Sequence, residues 1–305
     1  MHDKASLDYT SRWAPVAPRF ITLGNGGPEV RYLQFGQGPA LVLMHTVRTQ
    51  LDLFQRVIPR LANDFTIYAP DYPGFGWSEI VPNADYQEPT LRQHILNFIK
   101  TLALGDVTLA GESMGATLAL TVASELGSRA RQVVAFNTYD YFPGLERANL
   151  LASVIIKSVR APVIGPVFAA LENRAIVDGI VKGGVADPRS LPAEFIDELT
   201  RVGKRPGYAR VARAVYKALP SFVAARSLYS SITIPVTLVY GDHDWSRPSD
   251  RDANLSLIPG ARMMTIPHAG HFSSMERPDE FAKILIQSKF DREKATRLAS
   301  VGNGS

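Results

Sequence analysis

Short apolar runs rich in β-branched residues alternate along the chain with longer stretches in which apolar residues recur every three or four positions. The first pattern predicts buried strands and the second predicts amphipathic helices, as where Leu91, Ile95 and Phe98 share one helical face. The runs that predict strands are Ala40 to Met44, Phe65 to Ala69, Val107 to Ala110, Val133 to Phe136, Val236 to Tyr240 and Met263 to Ile266. This alternation predicts an α/β fold, with a mainly parallel central sheet flanked by helices.

One long interval, residues 138–231, breaks the alternation. It contains helical patterns interrupted by prolines and no convincing buried strand, and the strand pattern resumes at Val236. We therefore expect an inserted helical segment, here called the cap, over the carboxyl ends of the strands, where open α/β sheets bind ligands. The expected core comprises residues 20–137 and 232–290, and the charged, then Gly- and Ser-rich segment 291–305 is expected to be a frayed tail.

Composition narrows the class of protein. The 305 residues are 46% hydrophobic and 20% charged, which is typical of a globular protein. The net charge of +4 is spread along the chain, so we expect no nucleic-acid partner. The chain has no cysteine, which excludes disulfides and thiolate metal sites, and it has neither clustered metal ligands nor a Gly-rich phosphate loop. The sequence therefore predicts no metal or nucleotide cofactor.

The distribution of apolar residues also indicates where in the cell the protein is located. Residues Met1 to Trp13 lack the apolar core of a signal peptide, and charged residues and prolines interrupt every long apolar stretch. We expect a cytoplasmic protein without a membrane span that acts on a small-molecule substrate. The sequence gives no prediction of oligomeric state.

The segment Gly111-Glu112-Ser113-Met114-Gly115 follows a predicted strand directly and precedes a helical pattern rich in small residues. This strand, turn and helix context is what makes a G-x-S-x-G pattern indicative of a nucleophilic serine. The serine must sit on a sharp, strained turn, and small residues two positions away on either side avoid a collision. Ser113 is therefore the predicted nucleophile.

A serine hydroxyl needs a positioned base, and that base needs a group that orients it. We prefer His271 as the base because its loop lies between the last predicted strand and the last helix; His268 is the rival. The orienting acid should follow the strand that ends at Tyr240. We prefer Asp244 there and interpret Asp242 as a turn residue that satisfies local backbone donors. Asp140, beyond the strand that ends at Phe136, stays an alternative.

Acyl transfer places negative charge on a carbonyl oxygen, so two backbone donors should face it. The amide of Met114, directly after the nucleophile, is the first predicted donor. The second should lie in the loop after the strand Ala40 to Met44, where Val47 is preferred and Thr46 is the alternative. We interpret His45 as a structural histidine that braces this loop.

With these segments in place, the sequence resembles capped members of the α/β-hydrolase superfamily from about Phe20 to Phe290. The resemblance is carried, in order, by the strand that ends at His45, the segment DYPGFGWSE, the elbow GESMG, and the late segments GDHD and HAGHF. It implies a catalytic triad of Ser113, Asp244 and His271 and an oxyanion hole formed by the amides of Val47 and Met114. Most relatives carry glycine where this chain has Thr46.

The resemblance also limits the chemistry. Haloalkane dehalogenases and the epoxide hydrolases of this fold use an aspartate at the elbow, so Ser113 argues against both activities. We expect hydrolysis of a small or medium, largely apolar ester, with Arg48, Tyr139 and Trp245 as candidate substrate contacts. The alternatives are a carbon–carbon bond hydrolase that uses the same triad and a slow-turnover, hydrolase-like ligand receptor.

Overall fold

A central sheet organises the fold in the computed structural model, which describes residues 9–148 and 150–302. Its strand order is β1-β2-β4-β3-β5-β6-β7-β8. The strands β2 and β4, like β1 and β2, pair antiparallel, and all other neighbours pair parallel. The strands are β1 Arg19–Thr22, β2 Glu29–Gly36, β3 Ala40–Met44, β4 Thr66–Pro70, β5 Val107–Glu112, β6 Ala130–Phe136, β7 Val236–Gly241 and β8 Arg262–Ile266. This arrangement confirms the predicted α/β-hydrolase fold.

Helices cover both faces of the sheet because the central strands alternate apolar side chains between two hydrophobic layers. Along β3, Val42 and Met44 belong to one layer, whereas Leu41 and Leu43 belong to the other. The described α-helices are α1 Ile58–Leu61, α2 Glu88–Thr101, α3 Met114–Leu126, α4 Leu150–Arg160, α5 Gly165–Ala170, α6 Arg174–Lys182, α7 Ala193–Gly203, α8 Tyr208–Ala224, α9 Pro248–Leu257, α10 Ser273–Glu276 and α11 Pro278–Gly302. Helix α3 carries small residues and is almost wholly buried.

The interval between β6 and β7 contains helices α4 to α8 and no strand among its described residues. These helices are amphipathic; α7, for example, buries Phe195, Ile196 and Leu199. The segment leaves the core at Asn137, whose amide donates to the Val239 carbonyl at 2.7 Å. The two strands that flank the cap are therefore hydrogen-bonded neighbours.

All of the predicted strands are present, but the sequence analysis missed β1 and β2. Both are N-terminal and antiparallel, and β2 buries Arg31, a charged residue that conceals the strand pattern. Helix α11 begins at Pro278 and ends at Gly302, so it includes residues 291–302 of the segment expected to be a frayed tail. Helix formers such as Glu293, Lys294 and Ala295 extend it. Residues 303–305, like the N-terminal residues 1–8, lie outside the described part of the chain.

No helix within residues 9–148 and 150–302 combines the length and the apolar character needed to cross a bilayer.

Candidate active site

Ser113 lies at the turn between β5 and α3 in a strained backbone conformation, with φ 60° and ψ −120°. The flanking glycines are required by close packing. A Cβ on Gly111 would lie 2.4 Å from the carbonyl oxygen of Gly115, and one on Gly115 would lie 2.1 Å from the carbonyl oxygen of Met44. Because any side chain would collide with backbone at both positions, the turn holds its sharp geometry only with glycine on either side.

The three predicted triad side chains meet at the carboxyl ends of β5, β7 and β8. His271 Nε2 lies 2.7 Å from Ser113 Oγ, and His271 Nδ1 lies 2.5 Å from Asp244 Oδ1. All three residues are buried or nearly so, with Ser113 only 1% exposed. The hydroxyl, imidazole and carboxylate therefore form one continuous chain of hydrogen bonds.

The second oxygen of Asp244 is also occupied. Ser246 donates to Oδ2 from its backbone amide at 2.9 Å and from its hydroxyl. Burial opposes ionisation of Asp244, but the neighbouring His271 and these hydrogen bonds outweigh it and hold the pKa of this carboxyl below its ordinary value. An ionised Asp244 accepts the Nδ1 proton of His271, which leaves Nε2 free to accept the Ser113 proton.

Trp245 packs flat against the imidazole of His271. Its ring stacks on His271 with a centroid distance of 3.7 Å and an interplanar angle of 13°, and its Nε1 donates to the Gly183 carbonyl at 2.9 Å. Gly183 directly follows α6, so the same indole contacts both the base and the cap. Trp245 therefore fixes the plane of the imidazole.

The oxyanion loop, His45 to Arg48, approaches the amino end of α3. Within the described residues, the Val47 amide has no hydrogen-bond partner, whereas the Thr46 amide donates to Thr49 Oγ1 at 3.2 Å. The Met114 amide donates to Thr46 Oγ1 at 3.3 Å. The Val47 amide is thus a free donor and the Thr46 amide is not, which supports the preference for Val47 over Thr46.

His45 is fully buried and lies under this loop. Its Nδ1 is 2.9 Å from the Thr46 carbonyl, and its ring packs against Tyr72 with a centroid distance of 4.3 Å. Because a carbonyl oxygen only accepts, Nδ1 carries the proton. Burial lowers the pKa of His45 to about 4, so the ring is neutral near neutral pH and acts as a brace for the loop.

Sequence reasoning missed two residues that hold the loops of the site together. Buried Glu112 accepts hydrogen bonds from the Ser273 hydroxyl at 2.7 Å and from the Ser274 hydroxyl at 2.6 Å. Asn137, at φ 49°, donates to the His271 carbonyl at 3.0 Å and accepts from the Gly241 amide at 2.8 Å. Glu112 was visible inside the elbow motif, but nothing in the sequence indicated partners more than 150 positions away.

The rival candidates lie elsewhere. His268 is exposed, and its carbonyl accepts a hydrogen bond from Arg277 at 3.0 Å. Asp242 Oδ1 accepts from the Ala269 amide at 3.1 Å, as expected of a turn residue. Asp140 is buried and bonded to the Tyr229 hydroxyl at 2.6 Å and to Asn254. Among the described residues, none of these side chains forms a hydrogen bond or ion pair with His271.

The remaining predicted contacts differ in their surroundings. The Arg48 guanidinium pairs with Glu172 of the cap and lies 4.8 Å from the centre of the Tyr208 ring. Its backbone, at φ 61°, is strained. Tyr139 is fully buried, and its amide donates to the Ser113 carbonyl at 3.2 Å. Tyr139 therefore supports the elbow, whereas Arg48 extends from the oxyanion loop into the cap.

One group of potential metal ligands exists among the described residues. The ligand atoms of Asp242, His243 and His268 lie within 4.8 Å of one another, and all three residues are exposed. The group contains none of the triad residues.

Comparison with known proteins places this geometry in context. Residues 41–284 match the model of a family described as the alpha/beta hydrolase family. Haloalkane dehalogenase 2 of Mycobacterium bovis is 28% identical over 290 residues, covering 92% of this chain and 99% of that protein. The 2-hydroxy-6-oxo-6-(2'-aminophenyl)hexa-2,4-dienoic acid hydrolase of Metapseudomonas resinovorans is 25% identical, covering 92% and 94%. The solved structure of Cfl2 from Burkholderia cenocepacia aligns with a TM-score of 0.77 at 24% identity, covering 88% and 94%.

Proposed function

Because the chain belongs to the alpha/beta hydrolase family, we propose that it is a serine hydrolase that cleaves a small or medium, largely apolar carboxylic ester. The observation that carries this proposal is the hydrogen-bonded series Asp244, His271 and Ser113 at a strained turn. In this proposal Ser113 is the nucleophile, His271 the general base, and Asp244 the carboxylate that orients the base. Val47 and Met114 supply backbone donors to the oxyanion.

The reaction proceeds through an acyl-enzyme. Ser113 Oγ forms a bond to the ester carbonyl carbon, its proton passes to His271 Nε2, and the carbonyl π electrons move onto the oxygen. When that electron pair returns, the bond to the alkoxy oxygen breaks and His271 gives the leaving alcohol its proton. Water then attacks the acyl group by the same steps, and the acid and free Ser113 are released.

The elbow residue argues against halide displacement, the activity named for the Mycobacterium bovis relative. Attack of a serine hydroxyl on a haloalkane would form an ether, which has no carbonyl carbon for water to attack. An aspartate nucleophile would instead form an ester, which water can cleave. Ser113 therefore supports turnover of substrates that carry a carbonyl group.

The cap favours apolar substrates. A cavity of about 180 Å³ lies among its helices and is lined by Ile155, Val159, Phe168, Ala169, Leu171, Glu172, Ile176, Ala212 and Tyr216. One lining residue, Glu172, pairs with Arg48, which follows the oxyanion donor Val47 in the chain. This lining is largely apolar and suits a short alkyl or aryl group, although it contains none of the triad residues.

Hydrolysis of p-nitrophenyl esters with acyl chains of increasing length tests the proposal. The wild type should release p-nitrophenol and Ser113→Ala should not, whereas Ser256→Ala, which removes an exposed hydroxyl on α9, should match the wild type. A fluorophosphonate probe should label the wild type and not the Ser113→Ala variant. Equal ester turnover by wild type and Ser113→Ala would refute the proposal.

A second candidate is hydrolysis of a carbon–carbon bond next to a carbonyl group in an oxo-dienoic acid, because the Metapseudomonas resinovorans relative is named as a hydrolase of such an acid. Arg48 favours it, because an arginine at the end of the oxyanion loop could bind a substrate carboxylate if that carboxylate displaced Glu172. Turnover of a ring-cleavage dienoic acid at a much higher kcat/KM than any ester would select this candidate.

A further inference from the structure

Thr46 belongs to the oxyanion loop, His45 to Arg48, and follows the end of β3. Its side chain is fully buried, and its Oγ1 accepts a hydrogen bond from the Met114 amide at 3.3 Å. That distance is beyond the usual range for an N–H···O bond, so the amide can still donate to a closer acceptor. The Thr46 hydroxyl therefore lies beside the oxyanion hole.

The backbone of Thr46 is fixed in place. Its amide donates to Thr49 Oγ1 at 3.2 Å, and its carbonyl accepts from the Thr49 hydroxyl at 2.9 Å and from His45 Nδ1 at 2.9 Å. These contacts fix the Cα to Cβ direction that carries the hydroxyl. The amide of Thr46 is thereby occupied, and only its side chain is available to the site.

The proton of the Thr46 hydroxyl has no acceptor within the described residues, although the oxygen accepts from Met114. A buried hydroxyl proton without an acceptor is unfavourable unless a ligand supplies one. The adjacent Val47 amide is likewise without a partner in the same part of the chain. Two unsatisfied donors thus lie on consecutive residues of the loop that contacts the Met114 amide through Thr46.

We propose that Thr46 is a catalytic residue whose hydroxyl donates a third hydrogen bond to the oxyanion. The inference rests on the proposed function, because it requires a tetrahedral intermediate on Ser113. As the bond from Ser113 Oγ to the carbonyl carbon forms, the π electrons move onto the oxygen, which accepts from Val47 N–H, Met114 N–H and Thr46 O–H. Thr46 keeps its proton throughout, and the electron pair returns to the carbon when the leaving group departs.

The hydroxyl contributes more in the transition state than in the ground state. A hydrogen bond to a charged oxygen is roughly twice as strong as one to a neutral carbonyl, and Thr46 and Ser113 are both buried, where such a bond is stronger than in water. Loss of the donor should consequently lower kcat and leave KM largely unchanged.

Thr46→Val tests this, since it removes the hydroxyl and keeps a β-branched side chain of similar volume. We expect kcat for p-nitrophenyl esters to fall by about 10²- to 10³-fold. The affinity for a boronic acid, which forms a tetrahedral adduct on Ser113, should fall by a similar factor. Thr46→Ser, which restores the hydroxyl, should recover most of the loss. Thr200→Val, which removes a threonine hydroxyl on α7 far along the chain, should retain wild-type kcat.

The outcomes are distinct. A kcat in Thr46→Val equal to or higher than that of the wild type would overturn the inference. The hydroxyl would then accept from the Met114 amide in the free enzyme without stabilising the oxyanion. If Thr46→Val does not fold, Thr46→Ala against Thr46→Ser gives the same comparison. A wild type that neither reacts with a fluorophosphonate nor cleaves esters would instead refute the proposed function.

Discussion

Gly115→Ala should damage the elbow in a way that the structure allows us to estimate. The new Cβ would lie 2.1 Å from the Met44 carbonyl oxygen and 2.4 Å from that of His45, both of which are backbone atoms. Ordinary contact needs about 3.5 Å or more, so the end of β3 and the start of α3 must separate by more than about 1 Å. This separation would widen the gap between Thr46 and Met114.

The expected magnitude follows from that movement. Overpacking of a filled interior costs about 1–3 kcal/mol of unfolding free energy. A displacement of about 1 Å in the oxyanion donors should lower kcat by about 100-fold. Urea unfolding and ester kinetics measure the two effects.

Gly105→Ala is the matched control, since a Cβ there meets nothing within 4 Å and the backbone has no positive φ. It should leave kcat unchanged and the unfolding free energy equal or slightly higher. If Gly115→Ala matched Gly105→Ala in both measurements, the argument from close packing at the elbow would be wrong.

The other predictions concern the base and the brace beneath it. Asp244→Asn should lower kcat by roughly 10⁴-fold, because an amide stabilises the wrong tautomer of His271; a loss below tenfold in steady-state kinetics would contradict the assigned role. The pKa of buried His45 is lowered to about 4, so between about pH 6.5 and pH 4 the unfolded chain binds a proton that the folded chain does not. The free energy of unfolding should therefore decrease as the pH is lowered through this window. His45 alone should account for up to roughly 3 kcal/mol of the decrease. His45→Asn removes the histidine that causes this pH dependence. The free energy of unfolding of wild type minus that of the variant, measured in urea, should therefore be smaller at pH 4 than at pH 7. The same difference at both pH values would show that His45 does not cause the pH dependence.

The sequence predicted those parts of the molecule that depend on local pattern. The parallel strands are short apolar runs, and the elbow is a compact motif that needs glycine two positions from Ser113. Strand β2 was missed because Arg31 is buried there, stabilised by Asp71 at 2.6 Å and by Asp52 at 3.0 Å. A charge in a core strand becomes intelligible only when its distant partners are known.

The same limit applies to the site. Ser113 and His271 stood out because catalysis requires those residue types in loops after strands. Glu112 and Asn137 act through partners supplied by other strand ends, so no local pattern distinguished them from ordinary polar residues. Thr46 was noticed as a departure from glycine, but its contact with Met114 depends on how β3 meets α3.

The adjacency of β6 and β7 has a consequence for how such proteins diversify. The inserted segment leaves the core after β6 and re-enters it at β7, and these two strands are hydrogen-bonded neighbours. Because its two ends lie close together, the segment does not need to span a fixed distance, and its length can vary. Helices could be exchanged or lengthened there while Ser113, Asp244 and His271 keep their positions at the carboxyl ends of the strands. Selectivity can thereby change by replacement of one contiguous stretch of sequence, without rebuilding the machinery that breaks the bond.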